Sequence, residues 1–101
     1  MAERRTAHED RGGRLAAAEA GAAAVRSIQK LIGKQAEGVT ELRPSEDGWT
    51  VGVEVLEDQR IPSSGDILAV YEVELDEEGE LTAYRRIARY QRGRGGPDGE
   101  R

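Results

Sequence analysis

The sequence contains no cysteine and no phenylalanine, one histidine, one tryptophan, one methionine and three prolines. Without cysteine there is no disulfide framework and no thiolate-ligated zinc or iron–sulfur centre, a composition that suits a reducing compartment. The lone histidine, His8, sits in a polar stretch with no periodicity. Triads built on Ser-His-Asp or Cys-His need a histidine held in place, so no catalytic residue is assigned. Neither G-x-G-x-x-G nor G-x-x-x-x-G-K-[ST] occurs, and no cofactor is expected. No apolar run approaches the roughly 18–20 residues that span a bilayer. The opening "MAERRTAHEDRGGR" lacks the apolar centre of a secretory signal. The expectation is a soluble intracellular protein with no membrane partner.

What is present is charge. The chain of 101 residues is 35% charged and 37% hydrophobic, with a net charge of −5. One small domain with a thin aliphatic core is all this composition supports. The charge is segregated: residues 1–40 carry 7 basic and 5 acidic residues, residues 41–80 carry 2 and 13, and residues 81–101 carry 6 and 2. An acidic middle followed by a basic end either pairs internally or presents two faces to partners.

Residues 1–13 read as a disordered lead-in and residues 93–101, "GRGGPDGER", as a disordered tail, leaving one domain over 14–92. In "RLAAAEAGAAAVRSIQKLIGKQAEG", Leu15, Ala18, Ala22, Val25, Ile28 and Ile32 recur every three or four residues, which predicts an amphipathic helix. Gly33 is the expected C-terminal cap, with Gly38 the alternative stop. Four strand-like runs follow: 39–42, 49–56, 67–75 and 81–92. In the second, Trp49, Val51, Val53 and Val55 alternate with polar residues, and in the third Ile67, Ala69, Tyr71, Val73 and Leu75 share a face. Alternation in the last is imperfect, and a bulge near Arg85-Arg86 would restore it. The expected fold class is α+β, one N-terminal amphipathic helix packed on a four-stranded antiparallel sheet in the order α-β-β-β-β.

The basic end raises the main functional question. Arg85, Arg86, Arg89, Arg92 and Arg94 interleave with Tyr84 and Tyr90, the composition of a strip that meets phosphates and stacks bases. The neighbouring strand is acidic, however, and a hairpin turning at 76–80 sets Glu72 and Glu74 near Thr82, Tyr84 and Arg86. Phosphates would meet those carboxylates, so an internally paired hairpin is preferred over nucleic acid. The other carboxylates, including Asp76, Glu77 and Glu78, read as solvated charge; "DEEGE" lacks the spacing of an EF-hand loop, and no metal site is expected.

A single helix covers only one face of a sheet. Leu56, Leu68, Val70 and Ala88 would then point away from it, mixed with Glu54, Glu72 and Arg86. An apolar patch with a charged rim suggests a protein-interaction surface; scattered exposed aliphatics are also ordinary, and both readings stay open at this point. The candidate partner interface is Leu56, Leu68 and Val70, with Arg86, Arg89 and Tyr90 at its edge.

The stretch "GWTVGVEVLEDQRIPSSGDILAVYEVELDEEGELTAYRRIARYQRG" resembles gas vesicle protein O (GvpO), a family of gas vesicle synthesis accessory proteins. The resemblance rests on Gly48-Trp49, "VEVLE" (53–57), "RIP" (60–62), "DILAVYEVELD" (66–76), Gly79-Glu80-Leu81 and "YRRIARYQRG" (84–93), and it covers residues 25–93. It implies a non-enzymatic accessory or regulatory factor that supports formation of the gas-filled protein shell in prokaryotic cytoplasm, in contact with other gas vesicle proteins. The alternative it leaves is a regulator of gas vesicle gene expression that binds nucleic acid through the Arg/Tyr-rich last strand. The family brings no catalytic residues with it.

Overall fold

The computed structural model describes residues 15–94. Helix α1 (Ala17–Ile32) leads into four strands, β1 (Gln35–Ser45), β2 (Gly48–Asp58), β3 (Ile67–Asp76) and β4 (Leu81–Gln91). The strands form one antiparallel sheet in the order β1-β2-β3-β4, so every connection joins neighbours. This is the α+β architecture the periodicities predict. Short 3-10 turns lie at Ser63–Gly65 and Arg92–Arg94. The second of these carries the described chain two residues into the expected tail. The lead-in over 1–13 and the rest of the tail lie outside the described residues.

At the start of α1, Glu19 Oε1 accepts the Ala16 N–H at 3.3 Å, and its charge suits the positive end of the helix dipole. Gly33 closes the helix in the left-handed region (φ 71°), donating its N–H to Gln29 O at 2.9 Å. The Gln29 side chain then accepts the Ala36 N–H at 2.9 Å, tying the helix end to the start of β1.

The buried face of α1 differs from the expected one. Ala20, Gly21, Ala23, Ala24 and Ile28 are buried, whereas Ala18 and Ala22 are exposed and Val25 and Ile32 half-buried. Alanine surrounds the helix, so apolar spacing cannot select a face there; the bulky Ile28 does, together with Ala24 and Ala20 one and two turns before it. Their small side chains bring the helix backbone close to the sheet. The side chains of Ile28, Val51, Val53, Val55 and Val73 are fully enclosed, with Ala20, Ala24, Ala69 and Leu75 around them. No aromatic ring is fully buried there. Trp49 lines the periphery, and its indole N–H donates to Leu15 O at 2.9 Å.

Strand β1 is much longer than the expected 39–42. It is an edge strand with Gly38, Pro44 and several charges, so it lacks apolar alternation and takes its conformation from pairing with β2. Register shifts near Glu37 and Thr40 mark bulges. At the start of β2, a Cβ on Gly48 would collide with Leu75 O and Asp76, so the end of β3 can approach this closely only because the residue is glycine. In the β3–β4 turn, Asp76 Oδ1 accepts the N–H groups of Glu78 (2.9 Å) and Glu80 (3.0 Å), and Gly79 supplies the positive φ of 89°.

Candidate interaction surface

Register assigns every strand residue to a face. On the face that α1 covers lie Val51, Val53 and Val55 of β2 and Ala69, Tyr71, Val73 and Leu75 of β3. The helix-free face is built of four cross-strand rows. They run Gln35–Leu56–Leu68–Tyr90, then Gly38–Glu54–Val70–Ala88, then Glu41–Gly52–Glu72–Arg85, then Arg43–Thr50–Glu74–Ala83. The first two rows make an apolar half and the last two a charged half. Directly opposed side chains in such rows are in reach of one another.

In the charged half, Glu72 accepts from two arginines, Arg85 at 3.0 Å and Arg43 at 3.1 Å, bridging β1, β3 and β4. In the apolar half, Leu68 is only 3% exposed, while Leu56, Val70, Ala88 and Tyr90 are half-buried. Leu68 stands apart from the cluster under the helix, between Leu56 and Tyr90 in its own row. It is the floor of this patch, and the half-buried four are what a partner can touch.

Glu54 stands inside the apolar half, opposite Val70, and makes no hydrogen bond or ion pair among the described residues. Burial pushes its carboxyl above the ordinary glutamate range, the nearby Glu37 adds to the rise, and Arg92 opposes it.

The six expected interface residues do not form one patch. Leu56, Leu68, Val70 and Tyr90 share the helix-free face. Arg86 and Arg89 lie on the opposite face, where both pair with Glu57 at 3.1 Å. Arg89 is there by plain alternation, between Ala88 and Tyr90, and Arg86 by a bulge: Val70 opposes Ala88 and Tyr71 opposes Arg86, so Ile87 is the extra residue. That insertion sets Glu72 against Arg85 rather than Arg86, and Glu74 against Ala83. A second shift at Thr82 completes the imperfect alternation of this strand. Helix α1 packs over β1, β2 and β3, which leaves Tyr84 and Ile87 of β4 exposed; Tyr84 stacks at a tilt on Tyr71, ring centres 6.1 Å apart.

The β2–β3 loop and the end of β4 are clasped around Asp66, which is 3% exposed. Its carboxylate accepts the Arg60 N–H at 2.8 Å and two Arg92 guanidinium contacts at 3.0 and 3.2 Å. Its carbonyl accepts the Arg92 N–H at 2.8 Å. The Arg60 backbone bond, then Arg92, holds the Asp66 carboxyl below the ordinary aspartate range. This clasp and the Glu57 and Glu72 bridges join residues too far apart in sequence to be read from it. Only Asp66, as a residue shaping its loop, had a local signal.

Each of Arg85, Arg86, Arg89 and Arg92 is therefore paired with a carboxylate of a neighbouring segment. Exposed pairs of this kind add little stability, but they cancel the positive field a phosphate backbone needs. Among the described residues no cluster of three or more His, Cys, Asp or Glu is placed to hold a metal ion, and no helix is long and apolar enough to cross a membrane.

A family model described as "Gas vesicle synthesis protein GvpO" matches residues 3–96. Over 71 residues the chain is 52% identical to Gas vesicle protein O of Streptomyces sp., covering 70% of this chain and 56% of that protein. It is 37% identical over 67 residues to Gas vesicle protein O1 of Halobacterium salinarum, covering 66% and 56%. It is 34% identical over 68 residues to Gas vesicle protein O of Haloferax mediterranei, covering 66% and 49%. The chain spans about half the length of the curated relatives it matches. No solved structure matches it. With the family model spanning nearly all of its length, the chain belongs to the gas vesicle synthesis protein GvpO family.

Proposed function

We propose that the protein supports gas vesicle formation in the cytoplasm as a non-enzymatic accessory factor, acting by contact with other gas vesicle proteins through the helix-free face of its sheet. Family membership supplies the process. The observation that carries the mode of action is the apolar half of that face. Leu56, Val70, Ala88 and Tyr90 sit half-buried over Leu68 beside a charged half, an apolar centre with a polar rim. A chain that is 35% charged is unsuited to line a gas-facing wall, whose inner surface must repel water, so an accessory role fits better than a structural one.

The alternative, a regulator that binds nucleic acid through the last strand, finds less support because the arginines of that strand are already neutralised by carboxylates. Deletion of the gene from a gas vesicle gene cluster, followed by its restoration, tests the proposal through pressure-collapsible turbidity. Loss on deletion and recovery on restoration is expected. Undiminished vesicles in the deletion strain would overturn it.

A further inference from the structure

Resting on that reading of the helix-free face, we infer that its partner is an amphipathic protein segment whose apolar side chains cover Leu56, Val70, Ala88 and Tyr90 and whose lysine or arginine is received by Glu54. The argument begins with where Glu54 stands. It belongs to the second cross-strand row, between Gly38 and Val70, with Leu56 two residues further along its own strand. The other two half-buried glutamates of the sheet's central strands are matched, Glu72 to Arg43 and Arg85 and Glu57 to Arg86 and Arg89, while Glu74, which makes no ion pair among the described residues, is exposed to water. Glu54 is matched to nothing among the described residues.

Arg92, the cation whose charge reaches Glu54, makes no ion pair with it and is engaged elsewhere. Both contacting nitrogens of that guanidinium are committed to Asp66, one of them also reaching Glu37 at 3.5 Å, and its backbone N–H is held by the Asp66 carbonyl. Glu37 approaches from the β1 side and repels. A carboxylate kept half-buried in an apolar patch, short of water and of partners, costs stability, and threonine or valine would suit the strand better. The arrangement makes sense when a second molecule completes it.

A lysine or arginine is the side chain that fits. Its aliphatic stem packs along Leu56 and Val70 while its head reaches the carboxylate. The resulting charge-assisted bond would be sheltered by the apolar contacts around it. Such a segment would also supply the missing layer, since α1 covers one face of the sheet only.

The test uses full-length variants restored to the deletion strain, scored by pressure-collapsible turbidity, with circular dichroism and thermal unfolding of each purified protein. Val70→Glu and Ala88→Arg block the apolar contact, Glu54→Lys reverses the charge, Glu54→Gln removes it, and Glu77→Lys, in the distant β3–β4 turn, controls for net charge. Expected is loss of vesicles with Val70→Glu, Ala88→Arg and Glu54→Lys, a reduced yield with Glu54→Gln, and wild-type yield with Glu77→Lys. The Glu54→Gln protein is expected to be at least as stable as wild type at pH 7, an outcome that a purely structural carboxylate would not give. Full rescue by Glu54→Lys alongside loss with Val70→Glu or Ala88→Arg overturns the basic-partner inference and leaves the face as the interface. Full rescue by both Val70→Glu and Ala88→Arg removes the interface reading itself. Should Val70→Glu or Glu54→Lys fail to fold, Ala88→Arg and Glu54→Gln decide.

Discussion

Replacing Ile28 with alanine removes the only large side chain that α1 commits fully to the core; its other buried residues are Ala20, Gly21, Ala23 and Ala24. The substitution deletes three carbons from a site with no exposure, set among Val51, Val53, Val55 and Val73. Large-to-small changes of this kind cost about 2–5 kcal/mol, combining lost transfer energy with the cavity left behind. A domain of this size has a total stability of roughly 5–12 kcal/mol, so a large part of it depends on one residue. At about 4–8 °C per kcal/mol, the midpoint should fall by roughly 8–40 °C. Urea and thermal unfolding monitored by circular dichroism measure both quantities. Leu31→Ala is the matched control: Leu31 is 53% exposed, and its truncation should stay within about 0.5 kcal/mol. An Ile28→Ala loss below about 1 kcal/mol, or equal losses for the two variants, would refute the docking of the helix described here.

Further outcomes follow from the same geometry. Ala22→Lys should be tolerated and Ala24→Lys should unfold the domain, since Ala22 is exposed and Ala24 fully buried; equal stability of the two in thermal unfolding would show that the helix presents another face. Gly48→Ala should destabilise by more than about 1 kcal/mol because its Cβ would collide with Leu75 O and Asp76, and urea titration reads this directly. Asp66, with its carboxyl held low in the folded state, favours folding above the ordinary aspartate range. That contribution disappears as pH falls through the still lower folded value, so Asp66→Asn should flatten the most acidic part of the stability profile. Glu54 has the opposite sign: its raised carboxyl binds protons more tightly when folded, so stability declines as pH rises through the glutamate range. Glu54→Gln should remove that decline in a series of unfolding curves from pH 3 to about pH 7. A decline that persists in Glu54→Gln would contradict the assignment.

The strands were legible where burial imposes a period. Val51, Val53 and Val55 alternate with half-buried or small partners, and Ile67 to Leu75 does the same, so β2 and β3 could be placed within two residues of their observed ends. The turn at 76–80 with Gly79 and the cap at Gly33 were equally readable, because glycine supplies the positive φ there. The buried face of α1 was not, since a helix of alanines has no contrast between sides. Nor was the length of β1, whose residues are held by their neighbour rather than by their own preference. The surface was half legible. Leu56, Val70 and Tyr90 follow from strand parity, but one extra residue at Ile87 moves Arg86 to the other face, and nothing in the spelling of "YRRIARY" says which residue bulges. Glu54 was visible as one charge among many; its isolation appears only when every arginine nearby is seen to be engaged elsewhere.

The most direct test of the account is pressure-collapsible turbidity in the deletion strain restored with the wild-type gene or with Ala88→Arg, a change to a half-buried residue of the helix-free face. The account predicts vesicles with the wild type and none with a variant that is folded by circular dichroism. Wild-type turbidity from that folded variant would contradict the claim that the protein acts through this face.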